Sequence, residues 1–119
     1  MVKRAKNPSL GQWDFPGGFV EPNEHPQKAV AREIQEELGV QATIGELFGI
    51  YGPTEYFYQG KRRFNGDVYY LAELQSLDIK PADDVADFAW FSLDKLPPND
   101  QIAFPAQITL IADIKKHFS

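Results

Sequence analysis

Gly18-Phe19-Val20-Glu21-Pro22-Asn23-Glu24-His25-Pro26-Gln27-Lys28-Ala29-Val30-Ala31-Arg32-Glu33-Ile34-Gln35-Glu36-Glu37-Leu38-Gly39-Val40 is the stretch on which the reading of this chain turns. Pro26 opens its clearest helix. Proline suits the first helical position, and it pushes His25 out of the α region, as a cap residue requires. Gly39 supplies the stop, so the pattern predicts a helix over Pro26–Leu38, about 20 Å long. At roughly 100° per residue, Glu36 and Glu37 fall on either side of Glu33, about 60° and 40° away, and the three carboxylates share one arc. Ala31, Val30, Ile34 and Leu38 form an apolar strip beside it. Like charges at i, i+3 and i+4 cost a few tenths of a kcal/mol per pair, and they sit toward the end of the helix where the macrodipole disfavours anions. Arg32 offsets part of this, reaching Glu36 or an acid outside the helix. Converging carboxylates beside a rigid apolar anchor make a good site for a hard cation such as Mg²⁺. Taken alone, an ExxEE triplet is more often a solvated helix face.

Outward from the helix, the preceding residues read as turn, strand and turn. Lys6–Gly11 is turn chemistry, Gln12–Phe15 a short strand stopped by Pro16-Gly17-Gly18, Phe19–Glu21 a resumption of it, and Pro22–His25 a second turn. Met1–Arg4 reads as the tail of a strand. After the helix the period changes to that of strands, over Val40–Tyr51, Asn65–Leu74 and Val85–Phe91. Tyr56–Arg63 reads as a strand end with a basic turn, and Ser92 is placed to cap a turn at Leu93–Leu96. A final helix is expected over Pro105–His117, with Ile108, Ile111, Ile114 and Phe118 packing on the sheet. His25 reads as a weaker cap than Ser or Thr, not as a ligand, and His117 as a charge at a helix end.

The 119 residues suit a single domain, 1–119, long enough to bury a core without staples. The chain has no cysteine, which excludes disulfide scaffolds, zinc–thiolate sites and thiol nucleophiles. A net charge of −5 argues against a nucleic-acid binder. No apolar run approaches the ~20 residues needed to cross a bilayer, and no signal peptide is visible. A cytoplasmic protein without membrane partners is expected.

The pattern G-x5-E-x7-R-E-(apolar)-x-E-E-x-G-(apolar), from Gly18 through Glu24 and Arg32-Glu33-Ile34 to Glu36-Glu37, Gly39 and Val40, resembles the Nudix box at every specified position. A chance match in a chain of this size is on the order of one in ten million or less. Trp13–Glu21, Asp83–Leu96 and the terminal helix are also similar to the family, so the resemblance covers nearly the whole chain. It implies an α/β fold, the Nudix α/β/α sandwich with a mixed β-sheet, here without the N-terminal strand. It implies a Mg²⁺- or Mn²⁺-dependent hydrolase (a pyrophosphatase) that cleaves the diphosphate of a nucleoside diphosphate derivative. By the same resemblance Glu33, Glu36, Glu37 and the Gly17 carbonyl would hold metal, Glu33 would activate water, and Arg32, paired with Glu24 or a neighbouring Glu, would orient the carboxylates. Arg4, Lys61, Arg62 and Arg63 are candidates to neutralise phosphate, and Tyr56, Phe57 and Tyr58 to stack a base.

Substrate markers beyond the box are mixed. Pro53 points toward ADP-ribose and Tyr56 or Tyr58 toward dinucleoside polyphosphates, with (d)NTPs a further option, and the motif of NADH pyrophosphatases is absent. The alternatives are a non-catalytic nucleotide-sensing domain, and an acidic docking helix that would leave the Gly-Gly turn unexplained. An unpaired sheet edge at the short N-terminus leads to the expectation of a homodimer, or else of a truncated, less stable product.

Overall fold

The computed structural model describes residues 1–119, except for the side chain of Tyr58. Helix α1 spans Pro26–Leu38, as its capping signals predict. His25 is extended (φ −71°, ψ 140°), and its Nδ1 accepts the Gln27 N–H at 3.2 Å, so an imidazole does the work of a serine cap. Gly39 ends the helix at φ 69°, its N–H donated to Gln35 O. The last carbonyls of α1 are also satisfied: Lys80 N–H donates to Leu38 O and Ala82 N–H to Glu37 O, both at 2.8 Å. This pins the segment before the last strand onto the acidic helix.

Five strands complete the fold with α1 and the C-terminal helix, two of them before α1 in the chain and three after it. Strands β1 (Val2–Arg4), β2 (Trp13–Asp14) and β5 (Val85–Phe88) form a three-stranded antiparallel sheet in the order β2-β1-β5. Strands β3 (Ala42–Tyr58) and β4 (Lys61–Leu74) form a long antiparallel hairpin. Its two-residue turn, Gln59-Gly60, has positive φ at both positions (51° and 72°), which matches the twist of the flanking strands. The one parallel pairing among the described residues is an isolated bridge from Trp13 to Ile102. Helix α2 occupies Pro105–His117, within the predicted bounds.

The core has two lobes. Val2, Ile34, Leu38 and Val40 pack with Ala42, Ile44, Val85 and Phe88 under α1. Trp13, Ile102 and Ile111 pack with Phe15, Phe91 and Ile108 under α2, the Trp13 and Phe91 rings edge to face at 5.1 Å. The result is helix, sheet, helix, the α/β/α arrangement, with no helix long and apolar enough to cross a membrane.

Several boundaries differ from the sequence reading. Phe19–Glu21 is not a strand, because the loop is held by Arg32 instead of by a ladder. The basic residues Lys61–Arg63 belong to β4, since the turn residues are Gln59 and Gly60. Strand β5 stops at Phe88, short of Phe91. The turn after Ser92 is closed by the Ser92 carbonyl accepting Lys95 N–H, a backbone bond. On α2 the buried positions are Gln107, Leu110 and Ile111, whereas Phe118 is 49% exposed and follows the helix.

Candidate functional site

Arg32 is the hub of the acidic face. Its Nε donates to Glu24 Oε2 at 2.8 Å and Nη2 to Glu24 Oε1 at 3.0 Å, a bidentate pair that suits a planar guanidinium. Nη2 also donates to Phe19 O at 3.1 Å, and Nη1 reaches Glu33 Oε1 at 2.9 Å and Glu36 Oε2 at 3.2 Å. Glu24 is held in turn by the Glu21 N–H at 3.0 Å. One side chain therefore staples the Phe19–Glu24 loop across the helix and fixes two carboxylates. The hydrogen bond from Arg32 holds the Glu24 carboxyl below the usual range, and the same pairing raises the guanidinium pKa.

Gly18 belongs to this geometry. A Cβ there would lie 2.5 Å from Glu33 Cδ and Oε1, so glycine is what lets the loop close over the Glu33 carboxylate. Sequence periodicity put Glu33, Glu36 and Glu37 on one arc, and the loop covers part of it. The Glu33 side chain is 16% exposed and Glu36 57%. Ala29, which lies on that same arc, is buried.

Glu37 has a different environment. Its Oε2 accepts the Gly17 N–H at 3.2 Å, and no cationic side chain pairs with it among the described residues. Burial pushes its carboxyl up to about 8, against the pull of the Gly17 N–H, and Glu33, Asp84 and Asp14 add repulsion. Beside it is a cavity of about 90 Å³ lined by Arg4, Lys6, Asp14, Gly17, Glu37 and Asp84 among others. Arg4 is engaged there: Nη1 donates to Asp14 Oδ2 at 2.9 Å and Nε to Pro8 O at 2.7 Å. Asp14 Oδ1 also accepts Gln107 Nε2 at 2.6 Å, from α2. Asp14, Asp84, Lys6 and Gln107 were given no role in the sequence reading. For Asp14 and Asp84 the available signal was their place inside the two flanking segments that resemble the family.

The hairpin sorts the remaining candidates by face. Tyr56 packs on Phe19, ring centroids 5.5 Å apart, and so stands beside the loop that Arg32 holds. Arg63 is its cross-strand partner and shares its face. Arg62 and Phe57 point to the opposite face, where Arg62 Nε pairs with Glu55 at 2.7 Å, so Arg62 and Phe57 are not gathered with the acidic cluster. Lys61 is exposed at the end of the strand, next to the hairpin turn. The Tyr58 side chain lies outside the described residues.

The donor set suits a hard divalent ion: carboxylate and carbonyl oxygens only, with one half-buried carboxylate lacking a countercharge. The side chains are not closed around a single point. Among the described residues no three acidic or histidine groups converge at ligand spacing, because Glu33 and Glu36 turn to Arg32 and Glu37 to Gly17.

Fold and site together define a small α/β/α domain organised around a glycine loop and the acidic face of one helix. The model of the NUDIX domain matches residues 1–112. The ADP-ribose pyrophosphatase of Methanocaldococcus jannaschii is 32% identical over 97 residues, covering 82% of this chain and 56% of that protein. The CTP pyrophosphohydrolase of Escherichia coli is 50% identical over 42 residues, 35% of this chain and 31% of that protein. The chain thus spans about half the length of the first relative and about a third of the second. Among solved structures, the MutT protein from Methanosarcina mazei superposes with a TM-score of 0.73 at 24% identity, covering 98% of this chain and 80% of that one, a likeness of fold. The chain belongs to the Nudix family. Nudix hydrolases use divalent metal ions.

Proposed function

We propose that this domain is a pyrophosphohydrolase that cleaves the diphosphate linkage of a nucleoside diphosphate derivative with Mg²⁺ or Mn²⁺. ADP-ribose-like compounds are favoured, with dinucleoside polyphosphates and (d)NTPs as alternatives. The observation that carries the reading is the pair of environments along α1: Glu33 and Glu36, stapled by Arg32 together with Glu24 of the loop, beside an uncompensated Glu37. Glu33, Glu36, Glu37 and the Gly17 carbonyl are the groups that would hold metal. A divalent ion held by these groups would polarise phosphoryl oxygens and ease the ionisation of water. Without it a diphosphate, itself an anion, is repelled by the carboxylates.

The chain's own residues supply position and proton transfer. Arg32 and Glu24 hold the loop and orient Glu33, the candidate to accept the proton of the attacking water. Water adds to one phosphorus, and the bond from that phosphorus to the bridging oxygen breaks. Arg4, held by Asp14, and Lys6 line the cavity on the Glu37 side, which supports a role for them in meeting phosphate charge, and Phe19 with Tyr56 offers an aromatic surface at the other end of the loop. The name of the M. jannaschii relative supports the ADP-ribose preference. Incubation with a panel of nucleotides and nucleotide sugars, with and without Mg²⁺, followed by product analysis, tests the reading. Metal-dependent appearance of two monophosphates from ADP-ribose is expected. Hydrolysis of phosphate monoesters alone would refute it, and binding without turnover would instead establish a sensing domain.

A further inference from the structure

Gln107 is the only buried polar side chain among the described residues, on a helix whose other buried residues are Leu110 and Ile111. Its Nε2 donates to Asp14 Oδ1 at 2.6 Å and to the Tyr69 hydroxyl oxygen at 3.3 Å, so both amide protons are used. Its Oε1 is buried with no hydrogen-bond partner among the described residues. Reversing the amide would set that oxygen against the Asp14 carboxylate, so the donor end must face Asp14. An unpaired buried acceptor costs stability, and a leucine or methionine here would avoid the cost. Packing alone does not account for a glutamine at this position.

Asp14 in turn holds Arg4. Its Oδ1 accepts Gln107 and the Phe15 N–H at 2.7 Å, and its Oδ2 accepts Arg4 Nη1 at 2.9 Å. Arg4 Nε donates to Pro8 O at 2.7 Å, and the guanidinium lies over the Phe104 ring, 5.3 Å from its centroid. The Phe104 carbonyl accepts the Gln107 N–H at 3.0 Å, so both contacts toward Arg4 come from the start of α2. That start is tied to β2 by the Ala103 N–H on Trp13 O at 2.8 Å and by the Trp13–Ile102 bridge. Arg4 Nη2 has no hydrogen-bond partner among the described residues, and Arg4 lines the cavity beside Glu37. We propose that Gln107 is a positioning residue: through Asp14 it sets the Arg4 guanidinium at that cavity, with Nη2 left to meet a phosphate oxygen of the substrate. This rests on the phosphate-binding role proposed for Arg4.

Gln107→Met keeps the length of the side chain and an apolar fit but removes both donors. With the fold checked by circular dichroism, the Nε–Hε signal of Arg4 in a ¹H–¹⁵N spectrum, assigned by its loss in Arg4→Met, reads the guanidinium directly. In the unmodified chain it should be sharp and displaced from the signals of solvated arginines, and in Gln107→Met it should move toward them. Gln107→Glu keeps the shape, sets a carboxyl group against Asp14 and should move the signal in the same way, so it stands in where the Met change disturbs folding. In steady-state kinetics with ADP-ribose and Mg²⁺, Gln107→Met should raise KM about tenfold and leave kcat within about threefold. The double variant Arg4→Met/Gln107→Met should have a KM no higher than Arg4→Met alone, as expected of residues that act as one unit. The spectra are recorded without substrate, so they judge the positioning separately from the hydrolase activity. An Arg4 signal that neither Gln107 change moves would overturn the proposal, since Asp14 would then hold Arg4 without α2. So would KM effects that multiply in the double variant, which would mean that Gln107 meets the substrate directly.

Discussion

Glu33 and Glu37 lie one helical turn apart on α1 and have opposite surroundings. Glu33 sits under the Gly18 loop with a guanidinium 2.9 Å away, whereas Glu37 faces a cavity with a single backbone N–H at 3.2 Å and two aspartates nearby. One side of the helix has its charge balanced within the protein, and the other does not. A helix that needed only a stable solvated face would gain by balancing both. An unbalanced half-buried carboxylate next to a balanced, rigidly oriented one is what a cation site requires: one group free to attract the ion, and others held in place to complete its coordination.

The largest effect should come from removing a metal-holding carboxylate, on the unbalanced side or the balanced one. Glu37→Gln, and likewise Glu36→Gln, should lose more than nine tenths of turnover with the fold intact, as read by steady-state kinetics beside circular dichroism. Retention of more than about a tenth, a loss under ~1.4 kcal/mol, would contradict the metal assignment. Crowding the balanced side comes next. Gly18→Ala puts a methyl 2.5 Å from the Glu33 carboxyl, so Glu33 must swing off Arg32. Activity is then expected to fall at least tenfold with little change in melting temperature, and a fully active variant would show that the Glu33 position is unimportant.

Arg32→Lys keeps the charge but cannot reproduce the bidentate bond to Glu24 while reaching Glu33 and Glu36. A drop of about 10- to 100-fold in activity or metal affinity is expected, the usual cost of losing a residue that orients ligands. Unchanged kinetics in this variant would mean that the Arg32 network serves folding alone.

The smallest effect is a pH dependence of stability in the presence of a chelator. Because the folded pKa of Glu37, about 8, lies above its ordinary value of 4.5, the folded chain retains a proton that the unfolded chain has released between those two values. Stability should therefore fall as pH rises from about 4.5 to about 8, read as a falling melting temperature across that window. Glu37→Gln should flatten that slope. A slope that persists in the variant would locate its origin in another group.

The two sides also differed in how legible they were. Helix α1 and its glycine stop followed from capping chemistry, and the Arg32–Glu24 pair from the family resemblance, because each partner lies within one loop and one helix. The Glu37 cavity could not be read that way. Arg4, Asp14, Asp84 and Gln107 come from four segments brought together by β1, β2, the turn before β5 and α2, and no local period announces such a meeting. The hairpin was half legible. Its aromatic, β-branched composition marked strands, but Gln59-Gly60 was not recognised as the turn, so Lys61–Arg63 were read as a turn when they are strand. That error also hid the fact that Arg62 and Arg63 point to opposite faces.

The most direct test of the acidic face of α1 as a cation site is a calorimetric titration of Mn²⁺ at pH 7, in two buffers of different ionisation enthalpy. The unmodified chain should bind the ion and release a proton as it does so, since Glu37 is largely protonated at that pH before the ion arrives. The variant with Glu33, Glu36 and Glu37 all changed to Gln should bind no ion and release no proton. Equal Mn²⁺ binding by the two proteins would contradict the assignment.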